Sequence, residues 1–571
     1  MTWLFAVSAR TRRSERLRPA TVSIALASAL LWSACSRSGE HTPPPNVVFV
    51  LADDLDWQAF DQVPRLRALK KQAVTMNDFV VTESLCCPSR SSILTSQYVH
   101  SHGVLSNVAP SIDPTVADSL RANGQADALV ASGGWQAFAQ NGHEQNCLPT
   151  WLHAAGVRTG FLGKYLNGYG STDPLAVPPG WDEWFVPVTT QQMYRGYGYT
   201  ANDNGSLRSY PAKTRDFLPD VLTRKAVQFI RTSTGPFYLQ VNPTQPHAPY
   251  PIAKRHENDP VRSTIPRTAN FNRVGTDAPP WRSAKKKITG ERLAKYTRIW
   301  RERVRSAQSV ADTVEAIRAE LRRSGKESST LLVVGSDNGF HIGNHRLSPG
   351  KRTPYREDTV VPYLFIGPGL HAGTTNDAVA STIDLGPTFA ELLGAATPST
   401  VEGRSLVGLL TTGDQTGWRS GILTESLGDT VLGDPDYTAF RPPKFHALRT
   451  KQWLYVEYET GARELFDLAR DRAETHNVVD STPAATVDAL AAQLPAGAPL
   501  HGPTDHLTRL RVFHFHVDEG VRIPVQKLHQ LTLDLLGPVF KIRCGERVVR
   551  PHATDERGRQ HRQRQPHAFR H

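Results

Sequence analysis

A run of five apolar residues, Val47 to Leu51, follows a polar HTPPP stretch and ends in Asp53-Asp54. No polar residue interrupts it, as would happen in a strand with one face in water. The run therefore predicts a strand buried on both faces of a parallel sheet. Similar runs recur at VRTGFLG (157–163), PFYLQV (236–241), TLLVVG (330–335) and VPYLFIG (361–367). Helical patterns lie between them. The clearest places Val304, Ala307, Val310, Val314, Ile317 and Leu321 on one face, at spacings of three and four. Strands alternating with helices predict an α/β fold around a mostly parallel central sheet. After residue 395 the pattern changes to short strands broken by turn residues, HALRT, QWLYVEYET and ARELFDL. These predict a smaller antiparallel subdomain over 396–500.

The ends read differently from the body. Residues 1–35 carry five arginines and then an apolar stretch, which predicts an export signal. Two readings stand level: a plain cleaved signal peptide, and a lipoprotein signal with a lipid anchor at Cys35. Either predicts an exported protein, extracellular, periplasmic or held at the cell surface. Residues 36–45, with HTPPP, form a stiff linker before a catalytic domain over 46–395. Ala-, Gly- and Ser-rich residues 109–133 read as a loop insertion. Residues 501–571 hold nine of the 21 histidines and thirteen Lys/Arg against seven Asp/Glu, with no core-forming pattern. They read as a disordered tail, and a shifted reading frame is an open alternative. The net charge of +12 therefore sits mostly at the two ends. The body is close to neutral, which argues against nucleic acid as a partner.

In parallel α/β sheets, ligands gather at the carboxyl ends of the strands. The residues that follow each run are Asp53-Asp54, Lys164, His247 in QPHAPY, and Asp337-Asn338 in SDNGFH; SPGKRTPY adds Lys351. Asp53, Asp54, Asp337 and Asn338 are hard oxygen donors, suited to Ca²⁺ or Mg²⁺ and not to a soft metal. Alone, Asp53-Asp54 reads as a helix cap and SDNG as a turn; together, after two buried strands, they point to a metal site. The remaining signal is SLCCPSR (84–90), which places two of the five cysteines side by side. Adjacent thiols make a poor disulfide with each other. Pro88 predicts that PSRSSILTSQY runs on as a helix, with Cys86 and Arg90 near its N-terminus. Cys87 reads as a buried filler.

Cys86, Cys87, Pro88, Ser89 and Arg90 match C-x-P-S-R, which resembles the signature of the formylglycine-dependent sulfatases. GKYLNGY, QPHAPY, SDNGFHIGNHR, SPGKRTPY, STIDLGPTFAELLG, VEGRSL and ELFDLARDRAETHNV follow in that family's order, so the resemblance spans about 46–480. The wording is most like the branch of N-acetylglucosamine-6-sulfatases and bacterial arylsulfatases. The resemblance implies an alkaline-phosphatase-like sandwich and a sulfuric-ester hydrolase acting on a sulfated carbohydrate or aryl sulfate. It implies that a formylglycine-generating enzyme oxidises Cys86 to an aldehyde. The hydrated aldehyde would attack sulfur through one hydroxyl, and release of sulfate would follow when the other loses its proton. One divalent ion would sit on Asp53, Asp54, Cys86, Asp337 and Asn338. Arg90 would steady the diol, Lys164 and Lys351 would bind sulfate oxygens, and His247 would protonate the leaving group. His100, His102, His341 and His345 rank below these.

Two positions depart from the family pattern. Ser96 replaces the glycine that usually closes the signature, and Leu166 stands where many members have a histidine. Two rival readings are a phosphatase or phosphonate-ester hydrolase of the same superfold, and a non-catalytic glycan-binding protein with Cys86 unconverted.

Overall fold

β1 (Asn46–Ala52) forms where the first apolar run predicts it, and all seven of its residues are buried. Its side chains alternate between two cores. Val48, Val50 and Ala52 enter one, while Val47, Phe49 and Leu51 enter the other. This explains why the run has no polar beat: neither face meets water.

In this computed structural model the described residues are 46–108, 132–262, 264–429, 434, 436 and 442–495. All belong to the first of two units, 1–505 and 506–571. The expected signal peptide, linker and tail, and nearly all of the expected insertion at 109–133, lie outside them.

Further strands are β2 (Val74–Met76), β3 (Phe79–Val80), β4 (Arg158–Gly163), β5 (Glu183–Pro187), β6 (Tyr199–Asp203) and β7 (Ser206–Tyr210). They are followed by β8 (Phe237–Asn242), β9 (Thr330–Ser336), β10 (Tyr363–Ile366), β11 (Thr374–Asn376) and β12 (Ala380–Ser381). Ten of these form one sheet in the order β11-β2-β10-β9-β1-β8-β4-β5-β6-β7. The centre, from β9 to β5, is parallel. β10 pairs antiparallel with β9, so the run at 361–367 is a strand of the opposite sense. β6 and β7 add an antiparallel hairpin at the other edge.

Helices cover both faces. The long helix Gly290–Arg323 buries Val304, Ala307, Val310, Val314, Ile317 and Leu321, the stripe predicted from spacing. It packs with Leu218–Thr232 on the Val48 side of the sheet. On the Val47 side lie Cys86–Thr95, Leu148–Ala154 and Leu385–Leu393. A separate antiparallel sheet is built from β13 (Gly421–Ser426), β14 (Phe445–Thr450), β15 (Trp453–Tyr458) and β16 (Arg463–Asp467). No helix among the described residues is long and apolar enough to cross a membrane.

The register sets up the site. Ala52 lies opposite Ser336, and Gly163 opposite Asn242. Four strands thus end level with one another, and the residues after them share one edge of the sheet.

Candidate active site

Cys86 opens the helix Cys86–Thr95, two residues earlier than Pro88 alone predicts. Proline is tolerated there because first-turn N–H groups have no partner within the helix. Every residue of this helix is buried. Ser89 Oγ donates to the Asp337 carbonyl at 2.5 Å, which ties the helix to the end of β9. The helix stops at Ser96, whose φ of 57° lies in the left-handed region that favours glycine. Ser96 Oγ is also buried without a hydrogen-bond partner. Ser96→Gly removes both costs, so its urea midpoint should rise by the equivalent of about 1 kcal/mol. A midpoint that falls instead would mean that the hydroxyl fills space the fold needs.

The chain reverses handedness at Asp54, with φ 66°. This turn lets two consecutive carboxylates each meet a buried lysine. Lys164 Nζ reaches Asp53 Oδ2 at 2.7 Å, and Lys351 Nζ reaches Asp54 Oδ1 at 2.7 Å. The turn is pinned from behind by Arg303 on the long helix. Its guanidinium, fully buried, donates to the Asp54 carbonyl at 2.6 Å and to Asp56 Oδ2 at 2.7 Å. Arg303 is a charged residue placed directly before Val304 on the helix's buried side, a sequence signal that would have found it.

Cys86 Sγ sits among these groups. Lys351 Nζ donates to it at 2.9 Å, and it donates to Asp53 Oδ1 at 3.2 Å. Burial, reinforced by the Asp53 carboxylate, holds the thiol well above its ordinary pKa despite Lys164 and Lys351. The unmodified thiol is therefore protonated and a poor nucleophile. Burial also pushes Cys87 up to about 12. Its backbone N–H donates to Asn107 Oδ1, consistent with a packing residue.

Asp337 accepts from Arg90 Nε at 2.8 Å through one oxygen, and from the Asp54 and Asn338 backbone N–H groups through the other. Burial alone would raise its pKa; Arg90, Lys164 and Lys351 outweigh that and hold it low. Arg90 Nη1 caps the Lys164 carbonyl at 2.9 Å. Burial would likewise depress Lys164 and Lys351. Asp53 in the first case, and Asp436 and Asp54 in the second, keep both well above the usual lysine range. Asn338 Nδ2 donates to Asp54 Oδ1 at 2.7 Å, while its Oδ1 is buried with no partner.

Ligand atoms of Asp53, Asp54, Cys86 and His247 all lie within 4.8 Å of one another. Together with the orphaned Asn338 oxygen, this oxygen-rich convergence fits a hard divalent cation. Asp337 stands next to the group and not within it. His247 Nδ1 donates to the Ala248 carbonyl at 2.7 Å, and Nε2 donates to Asp436 Oδ1 at 3.0 Å. Both nitrogens face acceptors, an arrangement that favours the protonated ring. Burial opposes this, but Asp436, Asp53 and Asp54 raise its pKa overall. Tyr194 stacks on the ring at 4.2 Å.

Asp436 was not legible from strand ends, because it belongs to the segment between β13 and β14. Its Oδ2 accepts from Lys351 Nζ at 3.0 Å and Asn107 Nδ2 at 2.8 Å, and lies 3.7 Å from Cys86 Sγ. The lower-ranked histidines have other partners. His100 pairs with Glu425, His102 with Ser92, His341 with Asp358, and His345 with Asn270 and Arg282. Leu166 is buried in the same apolar core as Cys87.

The mostly parallel sheet, with paired carboxylates, lysines and a buried helix-start residue at its strand ends, has the alkaline-phosphatase-like fold. Within it, the chain belongs to the sulfatase family and is a sulfuric-ester hydrolase. The Sulfatase family profile matches residues 45–395, and that of the C-terminal part of N-sulphoglucosamine sulphohydrolase matches 343–496. The N-acetylglucosamine-6-sulfatase of Capra hircus is 33% identical over 421 residues, 71% of each chain. That of Homo sapiens is 32% identical over 415 residues, covering 70% of this chain and 71% of its own. A solved structure described as in complex with its substrate D-glucosamine-2-N,6-O-disulfate has a TM-score of 0.63 at 19% identity. It covers 82% of this chain and 99% of its own. A phosphonate monoester hydrolase from Silicibacter pomeroyi shares the fold at a TM-score of 0.57 and 20% identity, over 82% of this chain and 95% of its own.

Proposed function

We propose that this sulfatase hydrolyses sulfate esters of a sulfated carbohydrate, with Cys86 matured to formylglycine and one Ca²⁺ or Mg²⁺ bound beside it. The observation that carries the reading is the position of Cys86 Sγ, 2.9 Å from Lys351 and 3.2 Å from Asp53 in a buried cluster of carboxylates and cations. Asp53, Asp54, Asp337 and Asn338 would hold the ion, with the residue at 86 completing the set. When bound, the ion would neutralise sulfate charge and lower the pKa of a hydroxyl held against it. The aldehyde, once hydrated, would supply the attacking hydroxyl and a second one whose proton loss releases sulfate.

The chain's own groups account for the remaining work. Lys164 and Lys351 are buried, carboxylate-held cations, suited to charge that develops on sulfate oxygens. Arg90 screens Asp337 and braces the helix. His247, with both ring nitrogens on acceptors, can pass an Nε2 proton to the leaving alcohol. That role suits a site where Leu166 supplies no proton. Relatives named for N-acetylglucosamine-6-sulfate, and a structural neighbour described with a sulfated glucosamine, support an aminosugar sulfate as substrate. A Drosophila melanogaster relative named as an extracellular sulfatase, 30% identical over 67% of this chain and 33% of its own, supports export. The separate antiparallel sheet supports a subdomain over 396–500. A converting enzyme during maturation and an anchor at Cys35 belong to the same proposal.

The phosphonate-hydrolase fold neighbour keeps the second reading in view. Parallel turnover of p-nitrophenyl sulfate and p-nitrophenyl phosphate tests the choice. Sulfate turnover should dominate; a strong phosphate preference overturns it. Chelation followed by dialysis should cut sulfate turnover by about a hundredfold or more, with recovery on adding Ca²⁺ or Mg²⁺. The same ion should raise the thermal midpoint of the stripped protein, because it binds only the folded carboxylate cluster. Full activity and an unmoved midpoint after chelation would remove the metal from the account.

A further inference from the structure

Residues 282–301 hold eight Lys/Arg and one acidic residue, Glu291, in a body that is otherwise close to neutral. Arg282 is buried and paired with Glu464, so it belongs to the core. Lys286, Lys287, Arg292, Lys295 and Arg298 are exposed. Lys286, Lys287, Arg292 and Lys295 make no ion pair among the described residues, and Arg298 has only a 3.9 Å approach to Glu302. Arg292, Lys295 and Arg298 follow one another at i, i+3 on the long helix, and Arg292 lies beside the buried Tyr296, to whose hydroxyl its Nη2 donates at 3.5 Å. Like charges at this spacing repel, at about 0.2–0.5 kcal/mol per pair. Among the described residues, the long approach of Glu302 to Arg298 is the one carboxylate contact that offsets it.

This basic face is joined to the catalytic pocket. Asn272 exchanges two hydrogen bonds with Ile288, at 2.7 and 2.9 Å. Arg346 donates to the Lys285 carbonyl at 3.3 Å and to the Asn272 carbonyl at 3.2 Å. Tyr296 OH donates to Ser348 Oγ at 3.2 Å. The basic segment thus rests on the loop that runs from Asn338 to Lys351. Ser348 precedes Lys351 by three residues, a span of at most about 10 Å of backbone. A sugar chain a few residues long, with one sulfate ester in the pocket, would reach this face with its neighbouring anions.

We propose that Lys286, Lys287, Arg292, Lys295 and Arg298 form an exosite for a polyanionic sulfated glycan, so that the enzyme acts on sulfate esters within an extended chain. The inference rests on the sulfatase reading and adds that the substrate is polymeric. Exposed lysines and arginines without protein counter-charges raise the local concentration of a polyanion and release its counterions on contact. They add nothing to the hydrolysis of a small, singly charged ester.

The test compares the matured wild-type protein with a quadruple variant, Lys286→Ala, Lys287→Ala, Arg292→Ala and Lys295→Ala. Thermal midpoints establish that both are folded. Affinity for heparin, a sulfated polysaccharide, should fall at least about tenfold at physiological salt, with a shallower salt dependence. KM for a sulfated oligosaccharide should rise by a similar factor, while kcat/KM on p-nitrophenyl sulfate stays within about twofold. Unchanged heparin affinity overturns the exosite. So does a parallel loss of affinity for heparin and duplex DNA with KM on the oligosaccharide unmoved, which marks a general polyanion surface. Failure of the wild-type protein on every sulfate ester counts against the sulfatase reading, and the heparin comparison then still decides the exosite.

Discussion

Cys86→Ala is expected to leave a folded protein with no measurable sulfate-ester hydrolysis, a loss of about 10⁴-fold or more. The side chain is buried and touches Lys351, Asp53 and Asp436, but it anchors none of the sheet. Removing one sulfur from such a place costs stability only modestly, about 1–2 kcal/mol. Lys164, Lys351 and His247 keep their carboxylate partners, so sulfate binding should persist in part. The expected pattern is therefore lost turnover with retained fold and retained weak binding of substrate. Turnover at a substantial fraction of wild type would mean that the nucleophile lies elsewhere. A simple loss of fold would mean that residue 86 is structural.

The second large effect is expected at Asp337. This carboxylate accepts from Arg90 and from two backbone N–H groups, and it stands at the edge of the candidate ion site. Asp337→Ala strips all three donors of their acceptor and leaves the Arg90 guanidinium buried without its main counter-charge. The expected destabilisation is about 3–5 kcal/mol, read from the urea midpoint. Asp337→Asn separates stability from chemistry. An amide oxygen can still accept from the backbone, so the fold should hold, while the lost charge weakens ion binding and transition-state stabilisation. Activity should fall by about 10³-fold, and the divalent-ion concentration needed for half-maximal rate should rise. If the asparagine variant kept full activity with an unchanged metal requirement, Asp337 would be only a brace for Arg90.

The parts of the fold that sequence made legible are those with a single physical cause. The stretches Val47–Ala52 of β1 and Leu331–Gly335 of β9 are apolar because both faces are covered. The stripe from Val304 to Leu321 is legible because one helix face is buried over its full length. β7 escapes the same logic. Ser206 to Arg208 and Ser209 are exposed on a hairpin edge, so no buried face imprints a pattern. β2, β3, β11 and β12 have two or three residues each, too few to show a period. The sense of β10 is set by its connection to the sheet and not by its side chains, which read as apolar in either direction.

The candidate site divides in a similar way. Asp53, Asp54, Lys164, His247, Asp337 and Asn338 follow parallel strands, where topology focuses ligands, and the structure brings them together. Lys351 reaches the same place from a loop and was found only through its wording, SPGKRTPY. Asp436 and Asn107 follow neither rule. Asp436 enters between β13 and β14 and meets Lys351 and His247 across the chain, a contact that no local pattern encodes. Its carboxylate sits on Lys351, assigned to sulfate, and on His247, assigned to the leaving group, so a bound substrate must share or displace it.

One measurement bears on the whole account most directly: the mass of the peptide containing residues 84–90, taken from protein that is turning over p-nitrophenyl sulfate. The expected result is an aldehyde in place of the CH₂SH group of Cys86, reactive toward a hydrazide, in proportion to the specific activity. A fully active preparation in which that peptide carries only the unmodified thiol would contradict it.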